Sequence, residues 1–244
     1  MKVGIIGAGN IGTNAAKLFV AAGHEVVVSN SRGPETLSDL VEEIGGAVRA
    51  VTIEEAADFG EVVFEAIPFG SYRELPADHL AGKIVVDASN YYPGRDGEID
   101  LDGITSAELL ARHLSGSRVI KAFNTMYYET LASEGRTDAP VEDRLVLFVS
   151  GDDEEAKGIV SDLIEEVGFA PVDTGPLKAS AKQEPGSPVY NNPMSPQRAR
   201  EMHSGQLSGE ADEQRKRQRL PFFPPLSARR PRFPPRPGIP GCRR

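Results

Sequence analysis

The sequence predicts an α/β protein built on a doubly wound, mostly parallel sheet, with a short irregular C-terminal extension and a disordered tail. Three observations predict it. Short apolar runs alternate with helical patterns from Lys2 to about Asp173, as βαβ units covered on both faces require. The first run passes through a glycine-rich turn directly into an Ala-rich amphipathic helix. After Gly175 this alternation weakens, because Pro176, Pro185, Pro188, Pro193 and Pro196 force extended or turn segments.

In chain order, strands are expected at Val3–Ile6, Glu25–Ser29, Ala47–Val51, Val62–Ala66, Ile84–Asp87, Arg118–Ala122, Leu145–Ser150 and Ala170–Asp173. Helices are expected at Ile11–Ala22, Glu35–Ile44, Ile53–Asp58, Ser106–His113 and Asp153–Val167. Gly23 and Gly168 stand where a left-handed residue closes a helix, and Pro34 stands where a helix can begin. Ser195-Pro196-Gln197 is placed to start one short helix through about Met202.

The 244 residues are 39% hydrophobic, enough for one substantial core. Gly7, Gly9 and Gly12 interrupt the first apolar run before a signal peptide could form, and no window approaches a membrane span. Cys242 alone supports neither a disulfide nor a cysteine metal site within one chain, so the cytoplasm is the expected setting. The net charge of −9 conceals an asymmetry: residues 214–244 carry ten basic residues and no acidic one, whereas residues 1–213 carry 17 basic and 36 acidic residues. An acidic body argues against nucleic-acid binding, which needs cationic surface.

Val3-Gly4-Ile5-Ile6 runs into Gly7-Ala8-Gly9-Asn10-Ile11-Gly12 and then a helix, the strand, G-x-G-x-x-G and helix of a Rossmann dinucleotide site. Gly7 permits the tight turn, Gly9 lets the backbone approach a pyrophosphate, and Gly12 lets helix and strand pack closely. The helix N-terminus then offers free N–H groups to the phosphates. At the end of the second strand an NAD site would place Asp or Glu on the ribose. This chain has Asn30, Ser31 and Arg32 instead, hydroxyl, amide and guanidinium donors suited to the 2′-phosphate of NADP(H). A solvated turn arginine beside Gly33-Pro34 is the plainer alternative.

Three later strand ends should face the ligand, because parallel sheets bind ligands at their carboxyl edge. Ile67 and Pro68 could wall the nicotinamide or simply end a strand. Asn90 could bind ribose or carboxamide, or form a turn before Pro93. Asn124 and Thr125 could face the substrate, or Thr125 could cap the segment from Met126. Lys121 reads as a proton donor or, more simply, as a lysine snorkelling at a strand end, and His24 as a surface residue at a helix-to-strand turn. No histidine pair has metal-ligand spacing and no nucleophile triad is present. No metal and no catalytic acid or base are therefore expected, which suits hydride transfer between bound cofactors.

Taken together, Lys2–Gly12, Ser29–Arg32, Ala66–Pro68, Val119–Met126, Ser150–Asp153 with Glu155–Lys157, and Asp173–Leu177 resemble the NADPH-dependent reductases of the deazaflavin coenzyme F420. Lys121–Met126 also looks like the cytoplasmic oxidoreductase domain of a metalloreductase family that sends NADPH electrons through flavin. The resemblance implies a Rossmann domain over 1–177 that passes hydride between NADP(H) and a deazaflavin or flavin. It implies that Ser31 and Arg32 hold the 2′-phosphate, and that Ile67, Pro68 and Asn124, Thr125 and Met126 flank the stacked rings. Thr36 stands where such enzymes often place lysine. A homodimer is compatible with it.

Two other readings remain open: a non-catalytic NADPH-binding redox sensor, and a pyrroline-5-carboxylate or β-hydroxyacid-type reductase lacking its helical domain. Residues 178–206 form the short extension. Residues 207–244 form an Arg/Pro-rich tail, expected to be disordered or the product of a shifted reading frame. A nucleic-acid arm and a Pro-rich peptide ligand are its functional alternatives.

Overall fold

The computed structural model describes residues 1–45 and 48–203. Eight strands form one sheet: β1 (Lys2–Ile6), β2 (Glu25–Ser29), β3 (Val48–Ala50), β4 (Val62–Glu65), β5 (Ile84–Asp87), β6 (Arg118–Lys121), β7 (Val146–Gly151) and β8 (Ala170–Asp173). Their order is β3-β2-β1-β4-β5-β6-β7-β8, and the first six follow the Rossmann arrangement with its switch point between β1 and β4. The helices are α1 (Asn10–Ala21), α2 (Ser38–Ile44), α3 (Ile53–Phe59), α4 (Ala77–Leu80), α5 (Pro93–Asp96), α6 (Ser106–His113), α7 (Tyr128–Ser133), α8 (Glu154–Glu166) and α9 (Pro196–His203). The described strands and the five long helical patterns thus lie where the sequence puts them, to within a residue or two at most ends. The segment from Pro34 begins as a 3-10 turn through Leu37 before α2.

Local chemistry explains these elements. Val62–Glu65 and Ile84–Asp87 are buried at every position, because helices cover both faces of a parallel sheet. Thr52 and Thr105 begin α3 and α6 with reciprocal capping boxes to Glu55 and Glu108. On one face Ile5, Phe64, Val86 and Ile120 pack under α1 and α8. There Phe19, Phe64 and Phe123 meet edge to face with centroids 5.2 to 6.1 Å apart. On the other face Val63, Val85 and Val119 pack against Leu110 of α6 and Leu114 just beyond its end.

The departure from an all-parallel sheet is β7, which runs antiparallel to β6 and overlaps it only at Ile120↔Gly151 and Lys121↔Ser150. Residues 146–149 therefore project about 13 Å past the end of β6, at ~3.3 Å per residue. β8 pairs with them in parallel. The extension is tied to this overhang. Leu177–Lys182 form a 3-10 turn, and the Gln183 side chain is fully buried, donating to Ser150 Oγ (2.6 Å) and Thr174 Oγ1 (2.8 Å). The Val146 N–H donates to the Met194 carbonyl (3.0 Å) and the Asn191 N–H to the Thr125 carbonyl (2.8 Å). The tail expected at 207–244 lies outside the described residues.

Two sequence expectations are corrected. Lys121 does not snorkel: β7 covers the end of β6, and the side chain is fully buried against Asp87. His24 is buried rather than on the surface. Its ring meets Phe19 edge to face, and its Nε2 lies 3.0 Å from a Glu166 carboxylate oxygen.

Candidate functional site

The loop from β1 to α1 sits at the switch point. Gly7 has φ +105°, which a side chain rarely adopts, and a Cβ there would meet the Ala66 carbonyl. A Cβ on Gly12 would lie 1.8 Å from the Gly7 oxygen, so only glycine lets α1 pack this close. Gly9 differs: a Cβ there would meet nothing within 4 Å. Gly9 is also the residue preceding α1, whose first turn carries no acidic residue and no side-chain cap. Open space thus lies against free N–H donors, the geometry an anionic group requires.

A cleft runs along the carboxyl edge in two lobes. The smaller, about 270 Å³, is bounded by Gly7, Gly9, Asn30, Ser31, Arg32 and Ile67 among others. In it the Asn30 amide is committed to the loop, accepting from the Arg32 N–H (2.9 Å) and donating to Thr36 Oγ1 (2.9 Å). Ser31 and Arg32 are exposed, and the Arg32 guanidinium has no hydrogen bond or ion pair to any described residue. Thr36, where a lysine could have stood, instead fixes the turn. The donor set of a free guanidinium, a hydroxyl and an uncapped helix start fits a phosphorylated dinucleotide.

The larger lobe, about 440 Å³, shares Gly9, Ala66, Ile67 and Pro68 with the smaller. Asn90, Asn124 and Met126 line it. Phe123 has φ +63° and is locked by Phe19 and Phe64, turning the chain where Asn124 follows. Asn124 donates to Asn90 Oδ1 (3.2 Å) and the Gln183 carbonyl (2.9 Å), and Asn90 donates back to the Asn124 carbonyl (2.9 Å). Both neighbours of the Asn124 amide nitrogen are acceptors, which fixes its orientation and leaves Asn124 Oδ1 buried without a partner among the described residues. Thr125 does not border the cleft and caps no helix, since α7 starts at Tyr128 without a side-chain cap.

Sequence reasoning missed the outer wall. Tyr92, Arg95, Tyr127, Tyr128 and Tyr190 also line the larger lobe. The Tyr92 and Tyr190 hydroxyls are hydrogen-bonded to each other, and burial followed by that contact pushes the Tyr92 phenol up. The Arg95 guanidinium lies 5.0 Å from the Tyr92 ring centre and holds the Asn90 carbonyl (2.7 Å). Asn14 on α1 donates to the Tyr128 carbonyl (2.7 Å), anchoring that side of the wall.

Beneath the cleft a buried row crosses the sheet. Glu65, Asp87, Lys121 and Ser150 are successive cross-strand partners. Lys121 Nζ donates to Asp87 Oδ2 (3.0 Å) and to the Ser89 carbonyl (2.6 Å). Burial and the neighbouring Asp87 carboxylate hold the Glu65 carboxyl well above its ordinary range. Among the described residues, no helix is long and apolar enough to cross a membrane.

Several known proteins are similar to this chain. A family model described as NADP oxidoreductase, coenzyme F420-dependent, matches residues 2–91. A hypothetical protein of Sinorhizobium meliloti of known structure is 36% identical, with a TM-score of 0.70 over 80% of this chain and 95% of that one. A protein of Arthrobacter sp. FB24, provisionally described as an F420-dependent NADP reductase, is 26% identical, with a TM-score of 0.62 over 75% of this chain and 87% of that one. The metalloreductase STEAP3 of Rattus norvegicus is 34% identical over 190 residues, 77% of this chain. The chain spans only 36% of that relative's length.

Proposed function

Because the chain belongs to the family of coenzyme F420-dependent NADP oxidoreductases, we propose that it transfers hydride between NADP(H) and a deazaflavin such as F420, or a flavin. The observation that carries this reading is the two-lobed cleft whose lobes meet at Gly9, Ala66, Ile67 and Pro68. One lobe suits the adenosine phosphate end of the dinucleotide; the other is large enough for a second ring system beside the nicotinamide. When bound, the nicotinamide supplies the hydride, and the protein supplies placement.

Each residue then has a definite task. The first N–H groups of α1 hold the pyrophosphate, close to the Gly9 backbone. Arg32 forks onto the 2′-phosphate, with Ser31 beside it. Ile67 and Pro68 form an apolar wall that excludes water from one side of the nicotinamide. Asn124 Oδ1, oriented by Asn90 and the Gln183 carbonyl, accepts from the carboxamide. Asn124 and Met126 border the acceptor, with Thr125 behind them, and the tyrosines close the outer side.

Anaerobic NADPH oxidation, measured with F420, FMN and FAD as acceptors, tests the reading. Rapid turnover with at least one of them is expected. Tight NADPH binding with no turnover on any acceptor would instead favour a redox sensor.

A further inference from the structure

Three ionisable side chains end adjacent strands out of reach of water: Glu65, Asp87 and Lys121 are 1%, 0% and 0% exposed. Such a cluster is costly unless its charges and hydrogen bonds close. Lys121 closes one carboxylate. It donates to Asp87 Oδ2, while Asp87 Oδ1 accepts from the Ser89 N–H (2.9 Å) and the Ser89 hydroxyl (2.7 Å).

Glu65 is the carboxyl left over. Its Oε1 accepts from the Ile67 N–H (2.9 Å), but its Oε2 is buried with no partner among the described residues. As a carboxylate oxygen it would be stranded; as the O–H of a carboxylic acid it donates to Asp87, its cross-strand neighbour. The charged groups facing Glu65 are Asp87 from β5 and Lys121 from β6. Burial and Asp87 raise its affinity for the proton against the opposing pull of the Ile67 N–H and Lys121. The cluster is therefore neutral as a whole, with one exchangeable proton.

Ser89 connects this cluster to the cleft. It is 5% exposed and borders the larger lobe, which neither Glu65 nor Asp87 reaches. We infer that Glu65 and Asp87 store a proton for the acceptor site and deliver it through the Ser89 hydroxyl. The inference rests on the hydride-transfer reading. In the reducing direction NADPH gives up a hydride, carrying two electrons, to a carbon or nitrogen of the acceptor ring. A ring nitrogen of the acceptor takes a proton from Ser89 Oγ as the new N–H bond forms. Ser89 Oγ takes a proton back from Asp87, which receives the one released from Glu65 Oε2. Glu65 is left ionised and is reprotonated by the same relay run in reverse, solvent in the cleft giving a proton to Ser89 Oγ as Ser89 passes its own to Asp87 and Asp87 returns one to Glu65 Oε2. The oxidising direction reverses each transfer.

A purely structural role would need only the Asp87–Lys121 pair. Glu65→Gln separates the two possibilities, because glutamine keeps an acceptor for the Ile67 N–H and a donor for Asp87 but has no proton to give. Wild-type protein should show an infrared band of a protonated carboxyl at neutral pH that shifts in D2O and is absent from Glu65→Gln. NADPH affinity should stay within about twofold, while acceptor reduction slows by about 100-fold, the scale of positioned acid catalysis, and loses its solvent deuterium isotope effect. Ser89→Ala should slow reduction similarly while retaining the infrared band. The inference is overturned if the wild type lacks the band, or if Glu65→Gln reduces the acceptor with wild-type rate and isotope effect. Failure of the wild type to reduce any acceptor would instead count against the hydride-transfer reading, and the infrared band would still decide whether the proton is stored.

Discussion

A single methyl group added to the glycine turn should destabilise the fold at one position and leave it nearly unchanged at another three residues away. At Gly12 the new carbon would lie 1.8 Å from the Gly7 carbonyl oxygen, where ordinary contact begins at 3.4 Å. The difference, 1.6 Å, must come from backbone moving against backbone, since no flexible side chain intervenes. That displacement stretches an N–H···O bond from about 2.9 Å to about 4.5 Å, beyond hydrogen-bonding range. Bonds to charged groups contribute ~1.5–3 kcal/mol each, so losing one or two raises the NADPH dissociation constant by about 10- to 10⁴-fold. Overpacking adds ~1–3 kcal/mol of lost fold stability. Gly9→Ala is the counterpart. Its Cβ meets nothing in the free protein and its φ of −82° suits alanine, so stability should change by no more than about 0.5 kcal/mol. The methyl nevertheless fills the space the pyrophosphate needs. Calorimetric titration with NADPH and urea denaturation of both variants measure the two effects separately. Wild-type affinity in either variant, or a Gly9→Ala protein as unstable as Gly12→Ala, would refute the steric reasoning.

Three further outcomes are expected. Arg32→Glu should weaken NADPH binding by about 10- to 100-fold, the scale of one charge-assisted contact, while NADH binding changes little. Equal losses would remove the 2′-phosphate assignment. Lys121→Met strands the buried Asp87 carboxylate and should cost ~3–5 kcal/mol in chemical denaturation. Part should be recovered by adding Asp87→Asn, and a stable single variant would show that the pair carries no buried charge. The third concerns pH. Above its ordinary value of 4.5 Glu65 loses its proton in the unfolded chain but keeps it in the folded one. Folding thus binds a proton, and stability falls as pH rises, by up to ~1.4 kcal/mol per pH unit, until the folded group also ionises. Glu65→Gln should lack this contribution, so the stability of the wild type relative to Glu65→Gln should fall as pH rises above about 4.5. Parallel curves would mean that Glu65 is ionised in the fold.

What could be read from the sequence was what local sterics enforce. Gly7 and Gly12 announce a turn whose close backbone packing only glycine tolerates, Gly9 marks the space left beside it, and Arg32 in place of an acidic residue points to a phosphate. The alternation of strands and helices needs only residues a few positions apart. The buried row was not legible, because Glu65, Asp87 and Lys121 are separated by 22 and 34 positions and meet only through strand register. Lys121 looked like a solvated strand end because nothing local reveals that β7 turns back to cover it. Tyr190 was hidden for the same reason: it reaches the cleft from a proline-rich stretch with no periodic signal. His24 followed the composition of its turn, whereas its burial is decided by Phe19 and by Glu166 on a distant helix.

The short overlap of β6 with β7 divides the chain into two trades. All the residues assigned to the dinucleotide except Asn124 precede Tyr91, whereas Tyr127, Tyr128 and Tyr190 of the outer wall come from chain after β6, Tyr190 from beyond an overhang that shares only two residue pairs with β6. Such a seam is a natural splice point. Replacing residues 127–203 with the matching stretch of a relative exchanges Tyr127, Tyr128 and Tyr190 together and should change the choice of electron acceptor while leaving the preference for NADP(H) over NAD(H) intact, so that one end of the sheet is refitted without disturbing the other.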